Sequence, residues 1–434
     1  MKKKSFLFLF FLPAFCFAQL APNLRVNSDR LNNSLKELSA FGKNDQGGSD
    51  RVAFSEYDIE ARAYIQKLMK EAGLDVSIDF AGNIIGKRKG TENSLKPIAF
   101  GSHIDEVPNG GDYDGPVGSM SAIEIMQRLE DQKIWTRHPL ELIIFANEEG
   151  GVIGSRAIAG ELNDGSLQVM SNAGITQYEG IKRIGGNPDR IKEVAKKPLD
   201  YAAFLELHIE QGANLDRENI DIGVVEGIVA IEWWTFTFKG FANHAGTTPM
   251  NMRKDPMLPA AEFILAVSQL AKSIEGKQVA TIGKIEAFPG AGNVIPGEVK
   301  LNLEIRDLSS EKIWMMYREL EKKSKDFAAK YQTTISIEHI DVASKPAIAD
   351  DQIRKVIDMQ AKNLGLSTLS LPSGAGHDAQ EMARLAPMGM IFIPSREGIS
   401  HAPSEYSSSE DITNGANVLL QTILSLDQKL NTDK

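Results

Sequence analysis

Four short runs in this chain, 97–101, 140–146, 202–207 and 388–393, are apolar at nearly every position. A strand with one wet face alternates, so an unbroken apolar run marks a strand covered on both faces. Helical stretches separate several of them, such as 121–132, where Ile123, Met126 and Leu129 share a side. The pattern predicts an α/β fold, a three-layer αβα domain with a mostly parallel central sheet. In open sheets of this kind ligands bind beyond the carboxyl ends of the strands. The chain places its unusual polar residues there. His103 and Asp105 follow the first run, with Asp114 on a glycine-rich loop beyond. Glu148 and Glu149 follow the second run, His208 the third and His401 the fourth.

A chain of 434 residues predicts about two or three domains. A different rhythm sets in over 217–343. Strand-like segments at 232–239, 279–287, 299–306 and 333–339 alternate with helical ones at 256–272 and 310–330. The order β-α-β-β-α-β is that of a ferredoxin-like unit. The expected organisation is a catalytic domain over 19–216, an inserted lid over 217–343, and the rest of the catalytic domain over 344–434. Helices are expected at 27–40 and at 56–72, the second capped by Ser55. A strand pair is expected over 75–86. The polar segment 161–200 reads as a long connection with one short helix near 188–195.

Residues 1–18 read as a cleavable signal peptide: Lys2 to Lys4, an apolar stretch from Ser5 to Phe15, then small residues at Cys16 and Ala18. The prediction is cleavage after Ala18, export to a periplasm and no membrane attachment afterwards. Cys16 is the only cysteine, so the processed chain would hold no disulfide, no thiolate metal site and no cysteine nucleophile. The net charge is −10 and no long Lys/Arg block occurs, which argues against nucleic acid as a partner.

Imidazole and carboxylate donors without thiolate suit zinc, or manganese, cobalt or nickel. Asp114 has two oxygens and can serve two ions. Asp105 lies two residues beyond His103, on the same side of an extended chain, and is placed to accept the proton on its far nitrogen. Of the adjacent pair Glu148 and Glu149, one can bind metal while the other handles a proton. Adjacency does not order them. Taken singly, each residue has an ordinary reading: a core histidine, a turn aspartate, a solvated glutamate pair. Five of the seven histidines lie in polar, glycine-rich or acidic contexts, whereas His138 and His339 look incidental.

Several stretches in order resemble the metal-dependent amidohydrolases of the hydantoinase/carbamoylase group. They are Gly101-Ser-His-Ile-Asp105 with Asp114-Gly115, Asn147-Glu-Glu-Gly150, Glu206-Leu-His-Ile-Glu-Gln-Gly212 and His244-Ala-Gly-Thr-Thr-Pro-Met250. Asn293-Val-Ile-Pro-Gly297, Ser373-Gly-Ala-Gly-His-Asp378 and Ser400-His401 with Glu405 follow. The resemblance implies one metal held by His103, Asp114 and His208, and a second held by Asp114, Glu149 and His401. It implies Glu148 as general base, Asp105 as a catalytic support, and His244 reaching an active site from the lid to stabilise an oxyanion. Gln211, Asn293, Arg306 and the loop with Gly376 and His377 would bind substrate, Arg306 taking its carboxylate. It also implies a homodimer formed through the lid. In many relatives an Arg-Phe element and a longer loop follow the Glu-Glu-Gly, whereas here Gly150 runs directly into Gly151 to Arg156.

The expected reaction is hydrolysis of a linear, non-peptide carbon–nitrogen bond in a small ureido acid, above all an N-carbamoyl-L-amino acid. The alternatives are an allantoate amidohydrolase, an exported two-metal dipeptidase or aminoacylase, and a non-catalytic binding protein on the same scaffold.

Overall fold

In the computed structural model, which describes residues 24–340 and 344–430, the four apolar runs form the strands Ile98–His103, Leu140–Phe145, Ala203–Ile209 and Met388–Ile393. Every residue in them is buried. Leu140–Phe145 pairs parallel with Ile98–His103, which pairs parallel with Ala203–Ile209, which pairs parallel with Met388–Ile393. All four carboxyl ends therefore open on one rim. The antiparallel hairpin Asp75–Ile78 with Ile84–Arg88 extends one side of this nine-stranded sheet.

Alternate residues of each strand feed two cores. Phe100, Leu142, Leu205 and Ile391 pack with the helices Ser28–Leu38, Pro116–Asp131, Asp351–Asn363 and Ser409–Lys429. Ala99, Ile143, Phe204 and Phe392 face the shorter helices on the other side. A fully buried side chain of this size contributes about 1.5–3 kcal/mol, and the double-sided cover makes nearly every strand position count. Helix Glu56–Glu71 starts where expected, with the Ser55 side chain accepting from the Asp58 amide.

Three expectations need correction. Helix Pro116–Asp131 begins about one turn earlier than its apolar spacing suggests, because Pro116 supplies a pre-set first turn while Gly118 and Ser119 hide the pattern. The connection 161–200 carries three helical segments: besides the 3-10 turns Ser166–Gln168 and Pro188–Val194 there is the α-helix Gln177–Arg183, started by a reciprocal Thr176–Glu179 capping box. The lid does not begin at 217. Strand Ile222–Ile228 belongs to the large sheet, antiparallel to Met388–Ile393 and parallel to Thr368–Ser373. Its mostly buried, apolar residues suit that covered position. The leader expected over 1–18 lies outside the described residues.

The second sheet holds Ala230–Lys239, Val279–Phe288, Glu298–Asp307 and Thr334–Ile340, all antiparallel. In space the order is fourth, first, third, second. Helices Met257–Ser273 and Ser310–Lys330 cover one face, where Trp234, Phe236, Phe238, Leu301, Leu303, Phe263, Met316 and Leu320 form a separate core. This is the expected β-α-β-β-α-β unit. Its contacts with the large domain include Lys277 Nζ, which donates to the Ser370 carbonyl at 2.9 Å and lies 3.5 Å from the Glu226 carboxylate, and Arg306 Nη1, which donates to the Gly374 carbonyl at 2.7 Å.

Candidate active site

His103 is the last residue of its strand and His208 the last but one of the neighbouring strand. The loop bearing Asp114 passes directly over the His103 ring. A Cβ at Gly115 would lie 2.3–2.5 Å from three ring atoms, and its φ of +79° also favours glycine. Asn147, at φ +53°, turns the chain sharply after its strand and presents Glu148 and Glu149. Gln211 and His401 are likewise left-handed, at φ +56° and +55°. Such conformations cost of order 1–3 kcal/mol each and persist where surrounding contacts impose them.

The side chains converge. His208 Nε2 lies 3.1 Å and His103 Nε2 3.7 Å from Asp114 Oδ1. His401 Nε2 lies 3.0 Å from Asp114 Oδ2 and 3.2 Å from Glu149 Oε1. The donor atoms of His103, Asp114 and His208 fall within 4.8 Å of one another, and so do those of Asp114, Glu149 and His401. Asp114 is common to both sets. His103 Nδ1 meets the Asp105 carbonyl and His208 Nδ1 the Ile209 carbonyl, each at 3.0 Å. A ring that donates from Nδ1 turns an unprotonated Nε2 toward the centre. His208 Nε2 and Glu149 Oε1 are buried without a hydrogen bond.

The electrostatics point the same way. Burial, then Glu149, Asp378, Asp105 and Asp114, push the Glu148 carboxyl well above the usual range. Burial opposes ionisation of Asp114, yet His208, His401 and His103 outweigh it and hold its carboxyl well below the usual range. The adjacent Asp114 and Glu149 carboxylates raise His401 to about 10. Burial lowers His208, but Asp114 and Glu206 carry it up to about 9. An acidic pocket in which His208 and His401 hold protons in the absence of a cation is matched to divalent ions. With orphaned donor atoms facing inward, the two sets fit two ions sharing Asp114.

The structure reassigns some expected partners. The Asp105 carboxylate lies 3.9 Å from His103 Nδ1, too far for a hydrogen bond; the backbone carbonyl of Asp105 takes that role. Its carboxylate instead accepts from the Glu148 and Glu149 amides, each at 3.2 Å, and so fixes their turn. His377 is buried behind His208, ring centroids 4.4 Å apart, with Nε2 2.8 Å from the Ser373 hydroxyl. That position supports His208 rather than lining an open pocket, while Gly376 is exposed on the same loop. Gln211 Nε2 donates to Asp114.

His244 is exposed on the lid, and its Nδ1 accepts from the Gly246 amide at 3.0 Å. Nε2 is thereby left to carry the proton, as an oxyanion donor needs. The Asn293 carbonyl accepts from the Ala245 amide, so Asn293 sits at the same corner. Arg306 faces a cleft of about 700 Å³ that Gln211 and Gly374 also line.

Two further carboxylates support the site from behind. Glu405 accepts from the Tyr113 and Asp114 amides on one oxygen, and from the Ser400 hydroxyl and His401 amide on the other. It clamps together the loops that carry Asp114 and His401. Glu206, buried within an apolar strand, accepts from the Ser102 hydroxyl at 2.7 Å and the Ala379 amide at 2.9 Å. A charge inside an otherwise apolar run was the signal that could have found it.

Residues 99–425 match the model of peptidase family M20/M25/M40. The chain is 37% identical over 408 residues to an N-carbamoyl-L-amino acid amidohydrolase of Geobacillus stearothermophilus, covering 93% of this chain and 99% of the relative. It is 38% identical over 422 residues to a ureidoglycolate hydrolase of Arabidopsis thaliana, covering 94% and 89%. A crystal structure of an amidase of the hydantoinase/carbamoylase family from Burkholderia multivorans superposes with a TM-score of 0.86 at 34% identity, covering 93% and 98%. The chain therefore belongs to the M20/M25/M40 family, among the hydantoinase/carbamoylase amidohydrolases, and is a hydrolase of carbon–nitrogen bonds.

Proposed function

We propose that this chain removes the carbamoyl group from an N-carbamoyl-L-amino acid or a closely similar ureido acid. The observation that carries the reading is the pair of donor sets joined by Asp114, with the Glu148 carboxylate 3.9 Å from His103 Nε2. When bound, two divalent ions, zinc in the first place, acidify a water and polarise the carbonyl under attack. His103, Asp114 and His208 would hold one ion, and Asp114, Glu149 and His401 the other. Glu148 takes the proton of the attacking water and returns it to the leaving nitrogen. Asp105 keeps Glu148 in place through the backbone. The Nε2–H of His244 is suited to the developing oxyanion, and Arg306 to the substrate carboxylate. Amino acid, ammonia and carbon dioxide are the products.

The name of the Geobacillus relative supports an N-carbamoyl substrate, and that of the plant relative favours a second reading, ureidoglycolate. Both are ureido acids. The test is turnover of N-carbamoyl-L-amino acids, ureidoglycolate, allantoate and dipeptides by enzyme loaded with zinc, manganese, cobalt or nickel. Cleavage of dipeptides alone would overturn the proposal.

We also propose export with cleavage after Ala18, tested by N-terminal sequencing of the mature protein, and a homodimer formed through the lid. Exposed Phe241, Met250 and Met252 near His244 and the exposed edge strand Val279–Phe288 support the dimer.

A further inference from the structure

Strand Glu298–Asp307 sends Leu301, Leu303 and Ile305 into the lid core. Asn302, Glu304 and Arg306 lie on its other face. Glu304 is paired directly across from Trp233 on the neighbouring strand. Its carboxylate accepts three hydrogen bonds. Arg306 Nε donates to one oxygen at 2.7 Å; Arg306 Nη2 at 3.1 Å and Trp233 Nε1 at 2.7 Å donate to the other. Arg306 Nη1 reaches across the cleft to the Gly374 carbonyl. Burial disfavours the charge on Glu304, but Arg306 and Trp233 outweigh it and keep the carboxyl below its usual range.

A guanidinium has five N–H donors in a rigid plane. Three are committed here. The two left over are one on Nη1 and one on Nη2, and a pair on those two nitrogens can grip both oxygens of a second carboxylate. We propose that Glu304 is a positioning residue: it holds the Nε–Nη2 side of Arg306 so that the remaining Nη1 and Nη2 donors face the cleft and receive the substrate carboxylate. Trp233 braces Glu304 from the adjacent strand. The inference rests on the carboxylate-binding role of Arg306 proposed above.

The physical gain is preorganisation. A free arginine has several rotatable bonds, and fixing them only when substrate arrives weakens binding. Glu304 also offsets the positive charge of Arg306. Recognition then depends on two aimed hydrogen bonds more than on bare charge, which favours a planar carboxylate over other anions.

The experiment compares an N-carbamoyl-L-amino acid with its carboxamide analogue, on metal-loaded wild type, Glu304→Ala, Glu304→Gln and Arg306→Ala. Glu304→Ala is expected to raise KM for the acid about tenfold, from the cost of ordering the released arginine. Its kcat should hold within about twofold, and kcat/KM for the carboxamide should not move, since that substrate offers no second carboxylate. Glu304→Gln should move KM in the same direction by less, with an unchanged thermal midpoint. An unchanged or lowered KM for the acid in Glu304→Ala overturns the inference, and so does an equal loss on both substrates, which a structural role would give. If Arg306→Ala also leaves KM for the acid unchanged, the carboxylate-binding role of Arg306 fails with it. If Arg306→Ala raises KM and Glu304→Ala does not, only the role of Glu304 fails.

Discussion

At the scale of single residues, the proposed mechanism separates groups that would hold a cation from groups that would move a proton. Replacing Glu148 by Gln should leave metal content intact while turnover falls about a hundredfold or more; elemental analysis beside a rate assay checks both halves. Glu405 touches no reacting atom, yet it accepts backbone amides from both the Asp114 and His401 loops. Glu405→Ala should weaken metal binding by about 10–100-fold, the usual effect of losing such a support, and competition with a chelator reads that directly. Metal binding should also depend on pH with a definite sign. Without metal, the raised His208 and His401 keep their protons up to about 9 and about 10, against an ordinary value of 6.5. Burial lowers His103, so that ring is already neutral. Ligation requires neutral imidazole, so each ion must displace protons below about pH 9. Zinc affinity should climb as pH rises toward about 9 to 10 and then level. Titration calorimetry in buffers of different ionisation heat counts the protons released, and a flat profile would contradict the assignment. The same attraction to Asp114 and Glu149 stabilises the metal-free fold fully below about pH 6.5 and is lost as pH rises through about 9 to 10.

At the scale of elements, the site depends on close approach between a loop, a helix start and two strand ends. Gly115 lets the Asp114 loop cross the His103 ring, and a Cβ at Gly118 would lie 2.1 Å from the Leu207 carbonyl. Gly115→Ala forces a side chain into a left-handed position against the imidazole. It should cost about 1–3 kcal/mol and move His103 out of line. A lower thermal midpoint together with weaker metal binding is the expected result; loss of stability with unchanged metal affinity would mean that the loop yields instead of the ring. Much of this was legible in the sequence. Unbroken apolar runs located the central strands, because double-sided burial leaves no polar positions to blur them. The alternation and helical spacing of 230–340 likewise announced the lid. The rest is set by geometry that composition does not carry. Helix Pro116–Asp131 begins with residues chosen for close packing, so its first turn has no apolar rhythm. Strand Ile222–Ile228 reads as strand but does not say which sheet it joins. The partners of the Asp105 carboxylate and the His377 ring follow from backbone direction, which spacing does not give. Glu405 reaches the Asp114 loop, far away in the chain, which spacing alone cannot connect.

At the scale of the whole molecule, the lid is the part whose surface is not accounted for by its own fold. Strand Val279–Phe288 lies at the edge of the four-stranded sheet and is ten residues long. A long free edge offers unpaired amides and carbonyls to any other strand. Charged residues such as Lys284 and Glu286 interrupt it, but Ile285 is 49% and Phe288 45% exposed. The helix Met257–Ser273 also leaves Leu258 and Leu265 in water. Surfaces of this composition are usual where two copies meet, and a stable pair buries about 1,200–2,000 Å² in all. His244 and Asn293 lie on the same small domain, so pairing of lids would also fix how they are presented. Sedimentation equilibrium of the purified protein should therefore report a dimer. Ile285→Lys places a charge on the edge where the second copy would pair, and it should shift the protein to monomer with little change in thermal midpoint, since the side chain is half exposed in the single chain. Metal content should survive, because every proposed ligand comes from the large domain. A wild type that sediments as a monomer at tens of micromolar would remove the dimer from the account. A variant that stays dimeric would move the interface to the Met257–Ser273 helix. A monomeric variant that keeps its metals but loses turnover would show that His244 reaches its working position only in the pair.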